Sequence, residues 1–170
     1  MDETTIGLHP VLRACWMRRH QQKLIPAAGQ QEWHHVFGAY NWADDTIVYT
    51  TAASKNSDSF VAFLDHLAQT FVEVTVPIVL ILDNASYHHS YATQAGFSLL
   101  APEKIVPIFL PVYCSMLNLI ERYWRYLKDF ACANKLYPDM VQLIQAVEKC
   151  LQSQNDFQNV KRFTYSKHIS

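Results

Sequence analysis

Apolar positions along this chain fall into blocks of two different periods. Residues 76–82 (Val-Pro-Ile-Val-Leu-Ile-Leu) and 105–110 (Ile-Val-Pro-Ile-Phe-Leu) are nearly unbroken apolar runs rich in β-branched residues. Each is closed by a polar or proline break, the pattern of fully buried strands in a partly parallel sheet. Residues 33–41 and 46–53 predict two further strands, and the short turn from Asn41 to Asp45 makes them an antiparallel hairpin. Ser57 or Asp58 can cap a helix in which Phe60, Phe63, Leu64, Leu67 and Phe71 recur at helical spacing. More helices are predicted near 88–100, over about 118–132 and over about 139–153. The last carries Met140, Leu143, Ile144, Val147 and Leu151 on one face. In the one before it, Ile120, Trp124, Leu127 and Ala131 form an apolar stripe, with Glu121, Arg125 and Lys128 on the stripe beside it. The order hairpin, helix, strand, helix, strand, helix, helix predicts an α/β domain over residues 1–153, a mixed sheet with helices on both faces. Pattern alone leaves a doubly wound layout open. Residues 154–170 are polar and read as a frayed tail.

With 170 residues, half of them hydrophobic, the chain can bury one substantial core but not two comfortable ones. Thirteen per cent aromatic and 17% charged residues argue against disorder. No apolar stretch approaches a membrane span, and the Met-Asp-Glu start lacks the basic and apolar segments of a signal peptide, so a cytoplasmic, nucleoid-associated location and no membrane partner are expected. Cys15, Cys114, Cys132 and Cys150 form no C-x-x-C pair, which argues against zinc and for reduced, mostly buried thiols. Fourteen Lys and Arg against fifteen Asp and Glu give a net charge of −1, without the basic excess usual in a stand-alone nucleic-acid binder. The clearest basic cluster is Arg13, Arg18, Arg19 and Lys23, which reads equally as a solvated face or a grip on phosphates.

Candidate chemistry gathers where the apolar runs stop. Asp83 ends the first run, Glu121 opens the helix after the second, and Asp2 can supply a third carboxylate. Chemistry in such sheets collects at the carboxyl ends of strands. Three acidic oxygen donors without His or Cys suit Mg²⁺ or Mn²⁺. Taken singly, Asp83 reads as a helix cap and Glu121 as a surface helix residue; Glu3 is an alternative ligand if the register at the chain start slips. His34-His35 and His88-His89 cannot chelate zinc easily, because neighbours on a strand face opposite ways. Asp44 and Asp45 read as turn residues, and Trp124 as core.

The surroundings of these carboxylates resemble a family. Asp83-Asn84-Ala85-Ser86-Tyr87-His88 resembles the Asp-Asn-Ala-x-x-His block of DDE transposases from bacterial insertion sequences related to the mariner superfamily. Leu110-Pro111-Val112-Tyr113-Cys114-Ser115-Met116-Leu117-Asn118-Leu119-Ile120-Glu121 resembles that family's Leu-Pro-Pro-Tyr-Ser-Pro-Glu-Leu-Asn-Pro-Ile-Glu block, and Trp124 and Lys128 fit its Trp-x-x-Leu-Lys continuation. Asp2-Glu3-Thr4 resembles the family's first acidic position. The likeness covers roughly residues 1–130. Val112, Ser115 and Leu119 replace prolines, and Cys114 and Met116 replace a Ser and a Glu, so the departures lie in the approach to Glu121.

The resemblance implies a ribonuclease-H-like catalytic domain that cuts DNA at element ends and joins a 3′-hydroxyl to target DNA. Asp2, Asp83 and Glu121 would be its catalytic and metal-holding residues, with Asp83 bridging two Mg²⁺ or Mn²⁺ ions about 3.5–4 Å apart. Asn84, His88, Asn118, Arg125 and Lys128 would support the site or touch DNA. Transposon ends, target DNA and a second copy of the chain are the expected partners. Another nuclease on the same fold, and a non-catalytic fragment or dimerising regulator, are the competing readings. With Asp2 at the second position and nothing resembling a helix-turn-helix, the expectation is a catalytic domain whose first strand lacks its upstream half and whose DNA-binding region is absent. That predicts marginal stability and poor cutting unless some six to ten upstream apolar residues are restored.

Overall fold

The computed structural model describes residues 1–21, 24–26, 29, 31–100, 104–111, 114 and 117–156. In it the chain runs β1 (Asp2–Gly7), β2 (Trp33–Asn41), β3 (Thr46–Ala52), α1 (Ser57–Thr70), β4 (Ile78–Leu82) and a 3-10 turn (Ser86–His89). There follow α2 (Tyr91–Leu100), β5 (Ile105–Phe109), α3 (Ile120–Leu127), a π-helical turn (Lys128–Cys132) and α4 (Met140–Asn155). β1, β2 and β3 form an antiparallel sheet with β2 in the middle, and β4 pairs with β5 in parallel. The two sheets touch at the first residue, where the Met1 ammonium donates to the Ile81 carbonyl at 2.8 Å. The expected mixed sheet is thus an antiparallel and a parallel part, with no β1–β4 ladder among the described residues.

Alternation along β2 explains why helices cover both faces of the antiparallel sheet. Val36 and Phe37 are both fully buried, and neighbours on a strand face opposite ways. Val36 joins Ile6 and Ile47 in a core closed by Ile120, Trp124 and Leu127 of α3 and Leu143 and Val147 of α4. Phe37 joins Phe60, Phe63, Leu64 and Leu67 of α1, together with Leu80 and Leu82 of β4. Each fully buried Phe or Leu contributes about 1.5–3 kcal/mol, so β2 is clamped from both sides. Gly38 lets α3 approach: a Cβ built there would lie 2.6 Å from Trp124 Cη2.

Several expectations need correction. The run 76–82 is a strand only from Ile78, and it is not buried on both faces. Leu80 and Leu82 are buried, whereas Val79 is 55% and Ile81 45% exposed, and on β5 Val106 and Ile108 are exposed as well. An uninterrupted apolar run carries no polar face to show which side is covered. The cap of α1 is Asn56, ahead of Ser57 and Asp58; its side-chain oxygen accepts from Ser59 N at 3.0 Å. The helix expected near 88–100 is split at Ser90, whose extended backbone ends the 3-10 turn and whose Oγ accepts from Thr93 N at 3.2 Å to start α2. α4 runs two residues into the expected tail, because Asn155 bonds both the N–H and the carbonyl of Ile47 at 2.8 and 3.0 Å. The rest of that tail, residues 157–170, lies outside the described residues, as does Lys23 of the basic cluster. Arg13 of that cluster is tied down, its Nε paired with Asp129 at 2.8 Å. Cys132 and Cys150 are buried as expected, Cys114 is half-buried and Cys15 exposed.

Candidate active site

Three elements converge on the backbone of Met1. Its ammonium bonds Ile81 of β4, two residues before Asp83. Its carbonyl accepts from the buried Asn118 side chain at 2.9 Å, three residues before Glu121. Its own successor is Asp2, which pairs with Gly38 across the β1–β2 ladder. Because Trp124 fills the space above Gly38, Asp2 and α3 share one face of the sheet. The helix therefore lies over the middle of the antiparallel sheet.

Electrostatics mark the junction. Burial, with the charges of Glu3 and Asp83 nearby, pushes the Asp2 carboxyl up to about 6. Burial likewise pulls the Met1 amine down to about 6, against the raising influence of Asp2, Glu3 and Asp83. Burial and the neighbouring like charges thus disfavour the Asp2 anion, a cost that a cation at this junction would relieve.

Asp83 follows β4 directly. Its Oδ1 accepts from Ala85 N and faces His88 Nδ1, each at 3.0 Å. The other ring nitrogen of His88 contacts Glu3 Oε1 at 3.1 Å, and Lys55 Nζ stands 3.3 Å from Glu3 Oε2. Burial alone would lower the His88 pKa, yet the hydrogen bonds to Asp83 and Glu3 outweigh it and raise it to about 9. The hydrogen bond from His88 is the main cause holding Asp83 below its usual range. Glu3 is also held low: burial pushes it up, but His88, Tyr87 and Lys55 more than offset that. The imidazolium thus donates to a carboxylate on either side. Glu3, weighed as a substitute ligand, pairs with Phe37 and so faces away from Asp2, with its side chain fully buried.

The remaining predicted residues take distinct places. The Asn84 side chain donates to the Leu110 carbonyl, tying the turn after β4 to the end of β5. Glu121 is half-buried in the first turn of α3, its N–H on the Asn118 carbonyl at 3.2 Å. Arg125 is exposed one turn on, and Lys128, half-buried, begins the π-helical turn. Val112, Tyr113, Ser115 and Met116 of the approach to Glu121 lie outside the described residues. Lys55 and Asp45 were not read from the sequence as supporting groups, and Glu3 was weighed there only as a substitute ligand. Asp45 accepts from Tyr40 Oη at 2.5 Å and from Tyr123 Oη at 2.9 Å, locking the hairpin turn to α3. Only its Asp-Asp doublet stood out in the sequence, and a turn explains that equally well.

Donor chemistry fits a hard divalent cation: Asp2 and Asp83 are carboxylates near enough for the charge of Asp83 to raise the Asp2 pKa, and neither brings a soft ligand. The fit is partial. Among the described residues no three His, Cys, Asp or Glu side chains stand close enough together to hold an ion, so Asp2, Asp83 and Glu121 do not form a closed ligand cluster. No described helix is long and apolar enough to cross a membrane.

The sequence profile of the DDE superfamily endonuclease family matches residues 1–144. A curated relative, the uncharacterized 39 kDa protein of insertion element IS630 from Shigella sonnei, is 32% identical over 156 residues, covering 92% of this chain and 45% of its own. The chain therefore spans a little under half of that relative's length. Among solved structures, the Mos1 transposase paired-end complex with the left transposon end superposes with a TM-score of 0.61 at 13% identity, over 91% of this chain and 54% of the other. The Mos1 mariner paired-end complex with Mn gives 0.61 at 12% identity, over 92% of this chain and 55% of the other. At such identities the likeness establishes the fold, which is ribonuclease-H-like.

Proposed function

The chain belongs to the DDE superfamily of endonucleases, and from that premise we propose that it is the catalytic part of an insertion-sequence transposase that cuts and joins DNA with divalent metal. The observation that supports this most is the convergence on Met1. Short bonds from one residue reach β4 just before Asp83 and the lead-in to α3 just before Glu121, and Asp2 is next in the chain. Asp2, Asp83 and Glu121 would hold two Mg²⁺ or Mn²⁺ ions, which supply Lewis acidity at the attacking and leaving oxygens of a phosphodiester.

The protein's own part is to hold its carboxylates ionised and aimed. His88 keeps Asp83 deprotonated through its Nδ1–H donor. Asn118 and Trp124 fix how α3, and so Glu121, sits over Asp2. Arg125 and Lys128 follow Glu121 at i+4 and i+7 on one stripe of the helix, where a DNA backbone approaching Glu121 would meet them. Transposon ends and target DNA are the proposed partners, with a second copy of the chain to bring two ends together.

The test mixes the protein with Mn²⁺ and pre-cut element-end DNA. Wild type is expected to nick or transfer strands, and Asp83→Ala to lose that signal while retaining its fold by circular dichroism. Equal activity in the two proteins would refute the assignment. Cleavage of hybrid or branched substrates without strand transfer would move it to another nuclease on the same fold.

A further inference from the structure

β1 and β4 share no ladder among the described residues, so backbone pairing sets the spacing between Asp2 and Asp83 only through the Met1–Ile81 bond. A second link exists. Glu3 leaves β1 on the face opposite Asp2 and reaches His88 Nε2 at 3.1 Å, and His88 Nδ1 reaches Asp83 Oδ1 at 3.0 Å. Both side chains of this link's buried half, Glu3 and His88, are fully excluded from solvent. The imidazole is boxed in by the Phe60 and Tyr87 rings, each 4.5 Å from it by centroid. Lys55 closes the far end at 3.3 Å from Glu3 Oε2. Ala85 N donates to Asp83 Oδ1, and His88 Nδ1 stands 3.0 Å from the same oxygen and 3.2 Å from the Asp83 backbone carbonyl. Among the described residues none of these contacts falls on Oδ2, which is the oxygen the strut leaves to a ligand.

We propose that Glu3, His88 and Lys55 form a positioning strut that fixes the Asp83 carboxylate relative to Asp2, presenting Oδ2 to the metal while touching neither metal nor DNA themselves. The proposal rests on Asp83 being a metal ligand. The chemistry follows from the parts. A rigid, buried carboxylate on the strand that carries Asp2 orients an imidazole, and the imidazole in turn orients the carboxylate that follows β4. Outer partners of this kind set ligand orientation, and their loss typically weakens metal binding by about 10- to 100-fold. A bare polar network of the core would also be buried and bonded, but it would not act through Asp83.

The experiment measures Mn²⁺ affinity of the DNA-free protein by titration calorimetry, so that no catalytic readout is needed. Glu3→Gln keeps the shape of the side chain and removes its charge, and is expected to weaken Mn²⁺ binding by about 10-fold or more. In an Asp83→Asn background, already weakened, the same Glu3→Gln change is expected to have no further effect. Lys55→Met, at the half-exposed end of the strut, is expected to give a smaller loss of the same kind, and it is read alone should Glu3→Gln fail to fold. Equal affinity in wild type and the folded strut variants overturns the strut and leaves the metal assignment standing, as does a loss of the same size in both backgrounds. Wild-type Mn²⁺ binding that Asp83→Asn leaves intact overturns the metal assignment and the strut with it.

Discussion

Replacing Gly38 by alanine adds one methyl group and should disturb the site through α3. The new Cβ would lie 2.6 Å from Trp124 Cη2, 3.0 Å from Trp124 Cζ2 and 3.2 Å from Ile120 Cδ1. Carbon atoms prefer separations of about 3.5–4.0 Å, so the helix or the indole must retreat by about 1 Å. Neither neighbour is the loose end of a surface side chain, since Trp124 and Ile120 are both buried. Overpacking of this kind costs about 1–3 kcal/mol. The entropy gained by removing a glycine from the unfolded chain returns only about 0.4–1 kcal/mol. For a domain of this size the net loss corresponds to a fall in Tm of several degrees, at about 2–4 °C per kcal/mol. Glu121 opens the same helix, and a displacement of about 1 Å at a catalytic group can cost up to about 100-fold in rate. Differential scanning fluorimetry without metal and Mn²⁺-dependent nicking of element-end DNA read the two effects separately. Trp124→Phe, added to Gly38→Ala, makes room and should restore much of both. It sacrifices no hydrogen bond, because the buried indole N–H has no acceptor among the described residues. A Gly38→Ala protein that melts and nicks like wild type would refute the claim that α3 is seated on Gly38 opposite Asp2.

Two further expectations follow from the titrating groups. His88, raised from 6.5 to about 9 by its two carboxylate partners, binds its proton more tightly folded than unfolded. Its contribution to stability is complete below pH 6.5 and is lost as pH rises through about 9, so the resistance of the metal-free protein to urea should fall across that window in wild type and much less in His88→Gln; parallel pH profiles for the two proteins would show that the imidazolium is not formed. Cys132 and Cys150 are buried, with burial pushing each thiol up to about 11, whereas Cys15 is exposed. Iodoacetamide near pH 8, which reacts with thiolates, should therefore label Cys15 in the native protein and reach Cys132 and Cys150 only on unfolding, as peptide mass spectrometry would record; native labelling of Cys132 at the rate of Cys15 would contradict its placement.

How much of this was legible depends on whether a feature is local. The strand at residues 33–41 was read to the residue, and the apolar stripes of α1 and α4 were read from period alone, because a helix or hairpin repeats its own signal every few residues. The faces of β4 were not legible. Val79 and Ile81 are as apolar as Leu80 and Leu82, and which pair is covered depends on where α1 lies. The cap of α1 was misplaced within Asn56-Ser57-Asp58 because all three side chains can cap, and only backbone geometry chooses among them. Asp2, Asp83 and Glu121 were singled out where the apolar runs stop, and it took the resemblance to prefer a ligand role for them, since nothing in the local pattern distinguishes a ligand Asp from a capping one.

What escaped the sequence were the bonds between distant positions, and these organise the site. Glu3 meets His88 across 85 positions, Asn118 meets Met1 across 117, and Asp45 receives Tyr123 across 78. Each pairs a polar side chain with a partner that the chain order does not announce. Each also runs between elements that carry the carboxylates or hold them down: β1 to the turn after β4, the start of β1 to the lead-in of α3, and the hairpin turn to α3. The hydrophobic clusters alone would let these elements slide, because packing of Leu, Phe and Val tolerates exchange and shift at about 1 kcal/mol. A buried hydrogen bond tolerates neither, since breaking it strands a desolvated donor or acceptor at about 1–3 kcal/mol. In this chain apolar burial therefore sets the architecture, and a few long-range polar contacts set the relative placement of Asp2, Asp83 and Glu121.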